Sequence, residues 1–176
     1  MLNYRFLLST FVLLVIYVSI NFGCAPREPV LTIQPISLPD SIKIHDPDTL
    51  SSNGWLGTPD TALRYDSILV RLRVSYSGAT DAYITEVIWK VKNPKTDSII
   101  KTYNAGFFPI RIQNGQSANL NFFIYFDNIT AYKVDLLSDS LINYRGSAMV
   151  ELQLAGSTYE QFIKSNRITF PLSFVP

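Results

Sequence analysis

Side chains suited to acid–base, nucleophilic or metal chemistry are few in this sequence and widely separated. His45 is the only histidine and Cys24 the only cysteine among the 176 residues. Nucleophilic catalysis needs a base held beside its nucleophile, and zinc sites need several His or Cys ligands. His45 lies in a turn-like segment, residues 44–48, which is typical of a solvated loop. We therefore predict no catalytic site, no metal site and no cofactor.

The carboxylates offer two further hypotheses. Asp46, Asp48 and Asp60 lack the regular Asp/Asn spacing and closing Glu of a calcium loop, and we interpret them as turn residues. Glu86 and Glu151 both fall on outward positions of predicted strands. Because two carboxylates can hydrolyse a glycosidic bond, a carboxylate-dependent glycan hydrolase is an alternative function. Separate solvated surfaces are the preferred interpretation of this pair.

The first 23 residues have the pattern of a secretory signal peptide. Arg5 precedes an apolar run at residues 6–20, and Gly23 is a small residue just before the polar segment begins. A basic start, an apolar middle and a small residue at the end are typical of such signals. The run is short for a membrane-spanning helix of about 20 residues. An uncleaved signal anchor is the alternative.

Gly23 and Cys24 at the end of this run resemble the bacterial lipoprotein signal, although Asn21 and Phe22 depart from its usual residues. The resemblance implies cleavage before Cys24 and a diacylglyceryl group on this cysteine, often with an added N-acyl chain such as palmitate, and these chains together suffice for stable anchoring. Residues 1–23 would be the signal peptide and residues 24–29 the lipidated cysteine and its tether. The domain would then be extracytoplasmic, in the bacterial cell envelope. In lipoproteins of well-studied diderm bacteria, an Asp directly after the cysteine is associated with retention in the inner membrane. Ala25 occupies that position here, which favours the outer membrane.

The charge balance argues against one class of partner. Without residues 1–23 the chain holds 14 basic and 14 acidic residues. Proteins that bind nucleic acid carry a clear excess of basic residues. We therefore predict no nucleic-acid partner.

Most of the remaining sequence alternates with the period of two that is typical of half-buried strands. The inward series are Ile68, Val70, Leu72, Val74, Tyr76; Thr85, Val87, Trp89, Val91; Leu120, Phe122, Ile124, Phe126; Ala148, Val150, Leu152, Leu154; and Ile168, Phe170, Leu172, Phe174. Residues 30–66 are rich in proline and predict a lead-in strand and a long loop. Residues 98–103 and 107–112 predict two short strands. Within residues 127–143, some positions suit a helical turn (Tyr132, Leu136, Leu137) and others a strand (Val134, Asp135), and we interpret the segment as irregular.

The turn signals and this strand count predict an all-β fold. Asn114-Gly115 is a strong tight-turn signal. Seven or eight short strands with frequent turns describe an antiparallel β-sandwich, and an eight-stranded barrel is the alternative.

Trp89, residues 114–117 and the Asp139–Tyr144 spacing resemble single Ig-like or fibronectin-III-like domains of bacterial envelope proteins. The resemblance implies an Ig-like β-sandwich over residues 30–176. Asn93-Pro94 after a strand is also similar to late-embryogenesis-abundant type 2 domains, which implies a stress-protective protein as an alternative function.

Two surface features are candidate contact sites. Phe123 and Tyr125 lie opposite the inward residues of their strand and predict an exposed aromatic pair. The basic residues Arg71, Arg73, Lys90 and Lys92 would form a strip that contacts an anionic surface if their two strands paired as a hairpin; in an Ig topology they belong to different sheets. The preferred function is a lipid-anchored, non-enzymatic interaction or structural module. Its partners would be the membrane, through the anchor, and an envelope protein or surface polymer.

Overall fold

The computed structural model describes residues 28–37, 42–45, 55–56, 64–138, 143 and 145–175. Over these residues the chain forms ten strands and one helix. The predicted signal peptide and Cys24 lie outside the described residues, as do Asp46, Asp48, Asp60, Asp139 and Tyr144.

Two β-sheets pack face to face around one hydrophobic core. The strands are β1 (Val30–Ser37), β2 (Ile42–His45), β3 (Trp55–Leu56), β4 (Tyr65–Ser77), β5 (Ala82–Lys92), β6 (Ile99–Ile112), β7 (Ser117–Asp127), β8 (Ser147–Ser157), β9 (Phe162–Lys164) and β10 (Ile168–Val175). Sheet A contains β1, β3, β4 and β7, and sheet B contains the other six strands. Residues 30–66, predicted as a lead-in strand and a loop, contribute β1, β2 and β3 to the described structure.

In sheet A, β4 is the central strand. It pairs along one edge with β7 and along the other with β1 and β3, all antiparallel. Val70, Leu72 and Val74 point into the core and are at most 3% exposed, as their alternation predicted. A strand buried on one face needs this period because successive side chains point to opposite faces.

Sheet B has the order β2-β10-β8-β5-β6, and β9 continues the edge of β8 beyond β10. Only the β2–β10 pair is parallel among the strand pairs described. Val87, Trp89 and Val91 of β5 lie in the core. The lead-in strands are thus divided between the sheets, and the chain folds as the predicted all-β sandwich. Eight of the described strands have four or more residues, and the other two, β3 and β9, have two and three.

The side chain of Asn166 joins the two sheets at one edge. Its Nδ2 donates to the carbonyl of Ile33 at 3.2 Å, and its Oδ1 accepts from the Ile33 N–H at 2.6 Å. Leu31 and Ser165 form a parallel bridge beside it. The amide thus satisfies backbone groups on an edge strand that would otherwise be open to pairing with another chain.

The prediction of two short strands at residues 98–103 and 107–112 was wrong. β6 is continuous, and residues 104–106 pair with β5. The irregularity comes slightly later, where residues 107–109 stand opposite Thr85 alone. Such a bulge inserts residues without ending the strand, and the sequence signal at Gly106 was mistaken for a break.

The prediction that residues 127–143 are irregular was also wrong, because helix α1 spans Asn128–Asp135. The Asp127 carboxylate accepts from the Thr130 N–H at 2.6 Å and caps the helix. Ala131 and Val134 are buried in the core. With only two buried apolar positions, a helix this short leaves little periodicity in the sequence.

The predicted tight turn at Asn114-Gly115 is confirmed. Gly115 has φ of +74°, a conformation that glycine adopts without steric cost. The Gln116 N–H donates to the Gln113 carbonyl at 3.0 Å. The turn carries the chain from β6 in sheet B to β7 in sheet A, so it connects the two layers rather than two paired strands.

Candidate functional site

A cleft opens on the side of the sandwich where β6 and β7, edge strands of the two sheets, face each other. Its volume is about 350 Å³, and its lining is largely apolar. The residues that line it are Tyr65, Trp89, Tyr103, Asn104, Ala105 and Tyr125. Concave, mostly aromatic surfaces with a few polar groups are the usual form of binding sites.

The floor of the cleft is a stack of rings. Trp89 and Tyr103 lie directly opposite each other on β5 and β6, and their rings stack at 5.4 Å between centroids and 12° between planes. Tyr103 also makes an edge contact with Phe126, at 6.1 Å and 77°. Trp89 Nε1 donates to the Tyr125 carbonyl at 3.0 Å. The floor is therefore rigid, because packing and hydrogen bonding hold each ring.

The Tyr103 hydroxyl connects the cleft to helix α1. It lies 2.5 Å from the Thr130 hydroxyl and accepts from the Asp127 N–H at 3.2 Å. Burial raises the pKa of Tyr103 well above its usual range, so the side chain stays neutral. Lys101 Nζ stands 5.7 Å from the centre of the same ring. A cation near the ring face adds electrostatic attraction.

Next to the cleft, the outer face of sheet A carries an apolar surface. We call it the aromatic face, and it consists of Tyr65, Leu69, Phe123 and Tyr125. Phe123 is 51% exposed and Tyr125 37%, and Leu69 and Tyr65 are similar at 41% and 37%. Leu69 and Phe123 are direct cross-strand partners. Since Tyr65 and Tyr125 also line the cleft, the aromatic face and the cleft form one surface.

Polar groups border this surface on both sides. Asn104, at the cleft, donates from Nδ2 to Glu86 Oε1 at 2.9 Å. Arg71 and Arg73 follow Leu69 along the same face of β4 and are exposed. An apolar centre with a polar rim is the usual composition of a protein interface.

The structure does not bring the four predicted basic residues together. Arg71 and Arg73 lie on the outer face of sheet A, opposite Asn121 and Asn119. Lys90 and Lys92 lie on the outer face of sheet B, opposite Glu151 and Met149. The hairpin arrangement is therefore wrong, because β4 and β5 are consecutive strands of different sheets.

On sheet B the basic side chains converge on one carboxylate. Glu151 is 9% exposed, and its oxygens lie 3.0 Å from Lys92 Nζ, 3.9 Å from Lys90 Nζ and 3.6 Å from an Arg167 nitrogen. Hydrogen bonds from Lys92 to Glu151 and then to Asp97 raise the pKa of the lysine. Lys90 and Lys92 are thus committed to an internal charge network.

The two carboxylates of the hydrolase hypothesis share the outer face of sheet B but lie far apart. Lys90, the partner of Glu151, is four residues from Glu86 on β5, a separation of about 13 Å along the strand. Glycosidase carboxylates lie roughly 5–9.5 Å apart. The spacing of Glu86 and Glu151 does not match that geometry.

His45, predicted as a solvated loop residue, is the last residue of β2. Its N–H and its ring Nδ1 lie 2.8 and 3.1 Å from Oδ2 of Asp66, which is 2% exposed. This contact pins β2 to β4 and is a structural role. Among the described residues, no group of three His, Cys, Asp or Glu side chains could hold a metal ion.

Sequence reasoning identified Phe123 and Tyr125 but assigned no site role to Tyr65 or Tyr103. Tyr103 becomes visible once β6 is placed opposite β5, because Lys101, Tyr103 and Ala105 then share a face with Val91, Trp89 and Val87. Tyr65 begins a long strand and has no distinguishing local signal.

Comparisons with known proteins leave the chain without an assigned family. No family model and no curated protein matches it. Among solved structures, it is similar to the structural-genomics target SoR45, with 5% identity, a TM-score of 0.41 and coverage of 86% of this chain and 90% of that one. It is also similar to a Bordetella pertussis protein assigned as ApaA, with 6% identity, a TM-score of 0.38 and coverage of 81% and 92%. Likenesses this weak support no argument about function. Within the described residues, no helix is long and apolar enough to cross a bilayer.

Proposed function

We propose that this chain is a lipid-anchored, non-enzymatic binding module of the bacterial cell envelope, and that it holds a partner protein on the aromatic face and in the adjoining cleft. The observation that carries the binding role is the continuity of these two surfaces through Tyr65 and Tyr125. Exposed apolar patches rimmed by polar residues mark interaction sites. The anchor is inferred from the sequence around Cys24.

A protein fits this surface better than a sugar polymer. The aromatic face extends along two paired strands, and the cleft beside it is lined almost entirely by apolar atoms. A partner side chain inserted into a dry pocket and surrounded by flatter contacts is the usual arrangement of an interface hot spot. A sugar would need more hydroxyl partners than Asn104 and its neighbour Glu86 supply.

The rim suggests the charge of the partner. Arg71 and Arg73 are exposed beside Leu69 and form no ion pair with any residue that the structure describes. The partner would therefore present an apolar side chain for the cleft and carboxylates for this rim. Complementary charge at a rim mainly increases the association rate and fixes orientation.

Site-specific photo-crosslinking in cells tests the binding role. A photo-reactive phenylalanine at position 123 should give one discrete adduct, whereas the same group at Thr32, exposed on β1 of the same sheet, should give none. Leu69→Asp in the same chain should abolish the adduct. An adduct that forms equally at Thr32, or survives Leu69→Asp, would refute the aromatic face as the interface. Digestion of the adduct by proteases supports a protein partner, and digestion only by glycosidases would refute it.

Intact mass of the membrane-extracted chain tests the anchor separately. The expected mass lacks residues 1–23 and carries added acyl groups on Cys24. An unmodified chain beginning at Met1 would refute the lipoprotein part of the proposal and leave the binding surface unaffected.

A further inference from the structure

A second, smaller pocket lies at the end of the sandwich where the described chain begins. We call this end the N-terminal pole: Glu28, Pro29, the end of β4 at Tyr76 and the turn at residues 158–161. The pocket has a volume of about 220 Å³. The residues that line it are Glu28, Pro29, Tyr76, Ala79, Thr80, Thr158, Glu160 and Gln161.

The hydroxyl of Tyr76 lies at this pocket without a hydrogen-bond partner. The residue is 2% exposed, and its hydroxyl is the one buried side-chain oxygen or nitrogen lacking a partner in the described part of the chain. Gly78 leaves room for it, since a Cβ at that position would overlap the hydroxyl. Buried hydroxyl groups are almost always paired. Because Tyr76 lines the pocket, its unpaired hydroxyl leaves a hydrogen-bonding group that a polar ligand could satisfy.

The charges around the pocket indicate the sign of that ligand. Glu28 and Glu160 line it, while the nearby Asp81 is neutralised by Arg111 at 2.6 Å. Burial, followed by the negative charges of Asp81 and Glu160, raises the pKa of Tyr76 and keeps it neutral. The ligand would therefore be a cation with N–H groups that can donate to two carboxylates and a hydroxyl oxygen. A primary ammonium has this chemistry.

The turn that presents Glu160 is rigid. The Thr158 hydroxyl accepts from the N–H groups of Glu160 and Gln161 at 3.2 and 3.1 Å. The Thr158 N–H donates to the Gln161 carbonyl at 2.8 Å. The carboxylate is therefore mounted on a closed loop, so little ordering is needed when a ligand binds.

The same turn and the start of β9, which follows it, expose aromatic side chains to solvent. Tyr159 is 92% exposed and Phe162 is 62% exposed. Lys164 Nζ lies 5.5 Å from the centre of the Phe162 ring. Aromatic rings beside a basic residue are favoured at the boundary between lipid headgroups and acyl chains.

The position of the proposed anchor connects these features. Glu28 comes four residues after Cys24 in the sequence, and four residues span at most about 14 Å. An acylated Cys24 would therefore hold the N-terminal pole against the membrane surface. The pocket and the exposed rings would then lie at headgroup level.

We propose that the N-terminal pole docks on the bilayer, with Tyr159 and Phe162 at the interface and the primary ammonium of an ethanolamine headgroup between Glu28, Glu160 and the Tyr76 hydroxyl. This inference rests on the proposed anchor at Cys24. It assigns the two ends of the module different tasks: the N-terminal pole contacts lipid, which leaves the aromatic face and cleft free for the partner.

Reconstitution of the full-length, membrane-extracted chain into vesicles tests the proposal. Tyr159→Cys introduces a thiol at the pole, and Tyr132→Cys places a matched control on α1, 41% exposed and about 35 Å away along β7. Each chain is labelled with a polarity-sensitive fluorophore in vesicles that contain phosphatidylglycerol with either phosphatidylethanolamine or phosphatidylcholine. Phosphatidylcholine is the informative comparison because its ammonium carries no N–H group.

The expected result is one label per chain and a blue-shifted, quencher-protected fluorophore at position 159 but not at 132. Protection should be several-fold greater with phosphatidylethanolamine, and Glu28→Gln with Glu160→Gln should remove that difference. Free ethanolamine should compete only weakly, since it lacks the interfacial contacts of a lipid.

The contrary outcomes separate the two proposals. Two labels per chain would show that Cys24 is not acylated, and the anchor would fail. One label with equal exposure at 159 and 132 would overturn the docking of this pole while the anchor stands. Equal protection in both lipids, or a lipid difference that survives the double Gln variant with an unchanged melting temperature, would overturn the ammonium pocket.

Discussion

The two ends of the sandwich each hold a tyrosine near carboxylates, and the hydrogen bonding of its hydroxyl differs between them. At the helix pole, which comprises Tyr103, α1 and Asp127, the hydroxyl has two partners, Thr130 and the Asp127 N–H. At the N-terminal pole, the Tyr76 hydroxyl has none among the described residues. A polar group that serves the fold is satisfied within it. At the helix pole, therefore, groups of the same chain satisfy the tyrosine hydroxyl, whereas at the N-terminal pole the hydroxyl remains available to a ligand.

The helix pole closes itself further through Asp135, which is fully buried. Its two oxygens accept from the N–H groups of Asn143 and Arg145, both at 3.1 Å. Gly146 lies so close to the Val134 carbonyl that a Cβ would overlap it. These contacts hold the backbone of Asn143 and Arg145 beside the end of α1.

The largest effect is expected at Trp89, which anchors the ring stack that reaches the helix pole. Trp89→Ala should lower the free energy of unfolding by about 3–5 kcal/mol, the usual loss for a buried large aromatic. Urea denaturation of the detergent-solubilised chain, followed by circular dichroism, measures it. Tyr159→Ala, at a residue 92% exposed, is the control and should change stability by less than about 0.5 kcal/mol. Equal effects of the two changes would contradict the assignment of Trp89 to the core.

The next effect is expected at Asp135. Asp135→Ala should cost about 2–3 kcal/mol, because two N–H groups lose a buried charged acceptor. Asp135→Asn retains one acceptor oxygen and should cost less. The same denaturation series measures both. If both variants were as stable as the parent chain, the hydrogen bonds from the Asn143 and Arg145 N–H groups to Asp135 would not stabilise the helix pole.

A smaller loss is expected for Tyr103→Phe. It removes the acceptor of the Asp127 N–H and the partner of the Thr130 hydroxyl, at a cost of about 1 kcal/mol. In a chain of this size that corresponds to a decrease in melting temperature of roughly 2–4 °C. An unchanged melting temperature would show that water replaces the tyrosine hydroxyl without loss.

The smallest effect, and the sharpest test of the comparison, is Tyr76→Phe in detergent without ethanolamine lipids. Because the hydroxyl removed has no partner, the variant should match the parent within about 0.5 kcal/mol or be slightly more stable. The measurement pairs it with Tyr103→Phe under identical conditions. An equal decrease in the free energy of unfolding for both variants would contradict the proposed difference between the two tyrosine hydroxyl groups.

Much of the fold could be predicted from local patterns. The alternation of Val70, Leu72 and Val74 correctly assigned the inward face of β4, and Trp89 was correctly placed in the core of a β-sandwich. These predictions succeed because a one-residue shift of register would expose the whole apolar face of a strand. Asn114-Gly115 was equally clear, since few other dipeptides accept positive φ so readily.

The failures share a cause, which is dependence on partners distant in sequence. Residues 104–106 were interpreted as a break between two strands. They continue β6 because they pair with β5, and that pairing is not visible in the local sequence. The sequence did not decide between a helical turn and a strand at α1, because the helix is stabilised by the Asp127 cap and by packing of Ala131 and Val134 and not by its length. The hypothesis of a basic strip required hairpin pairing of β4 and β5. The structure instead has the other arrangement, with the two pairs on different sheets, which repulsion between opposed like charges favours.

The sequence by itself determined the period of the strands, their inward faces and the tight turn, because each depends on neighbours within a few residues. The neutral charge balance follows from composition alone. Only the tertiary structure decided that Tyr65, Trp89, Tyr103 and Tyr125 line one cleft. It also decided that Glu28, Tyr76 and Glu160 meet at one pole. Those residues come from strands and turns up to about 130 positions apart, and only the pairing of strands and the packing of the two sheets bring them together.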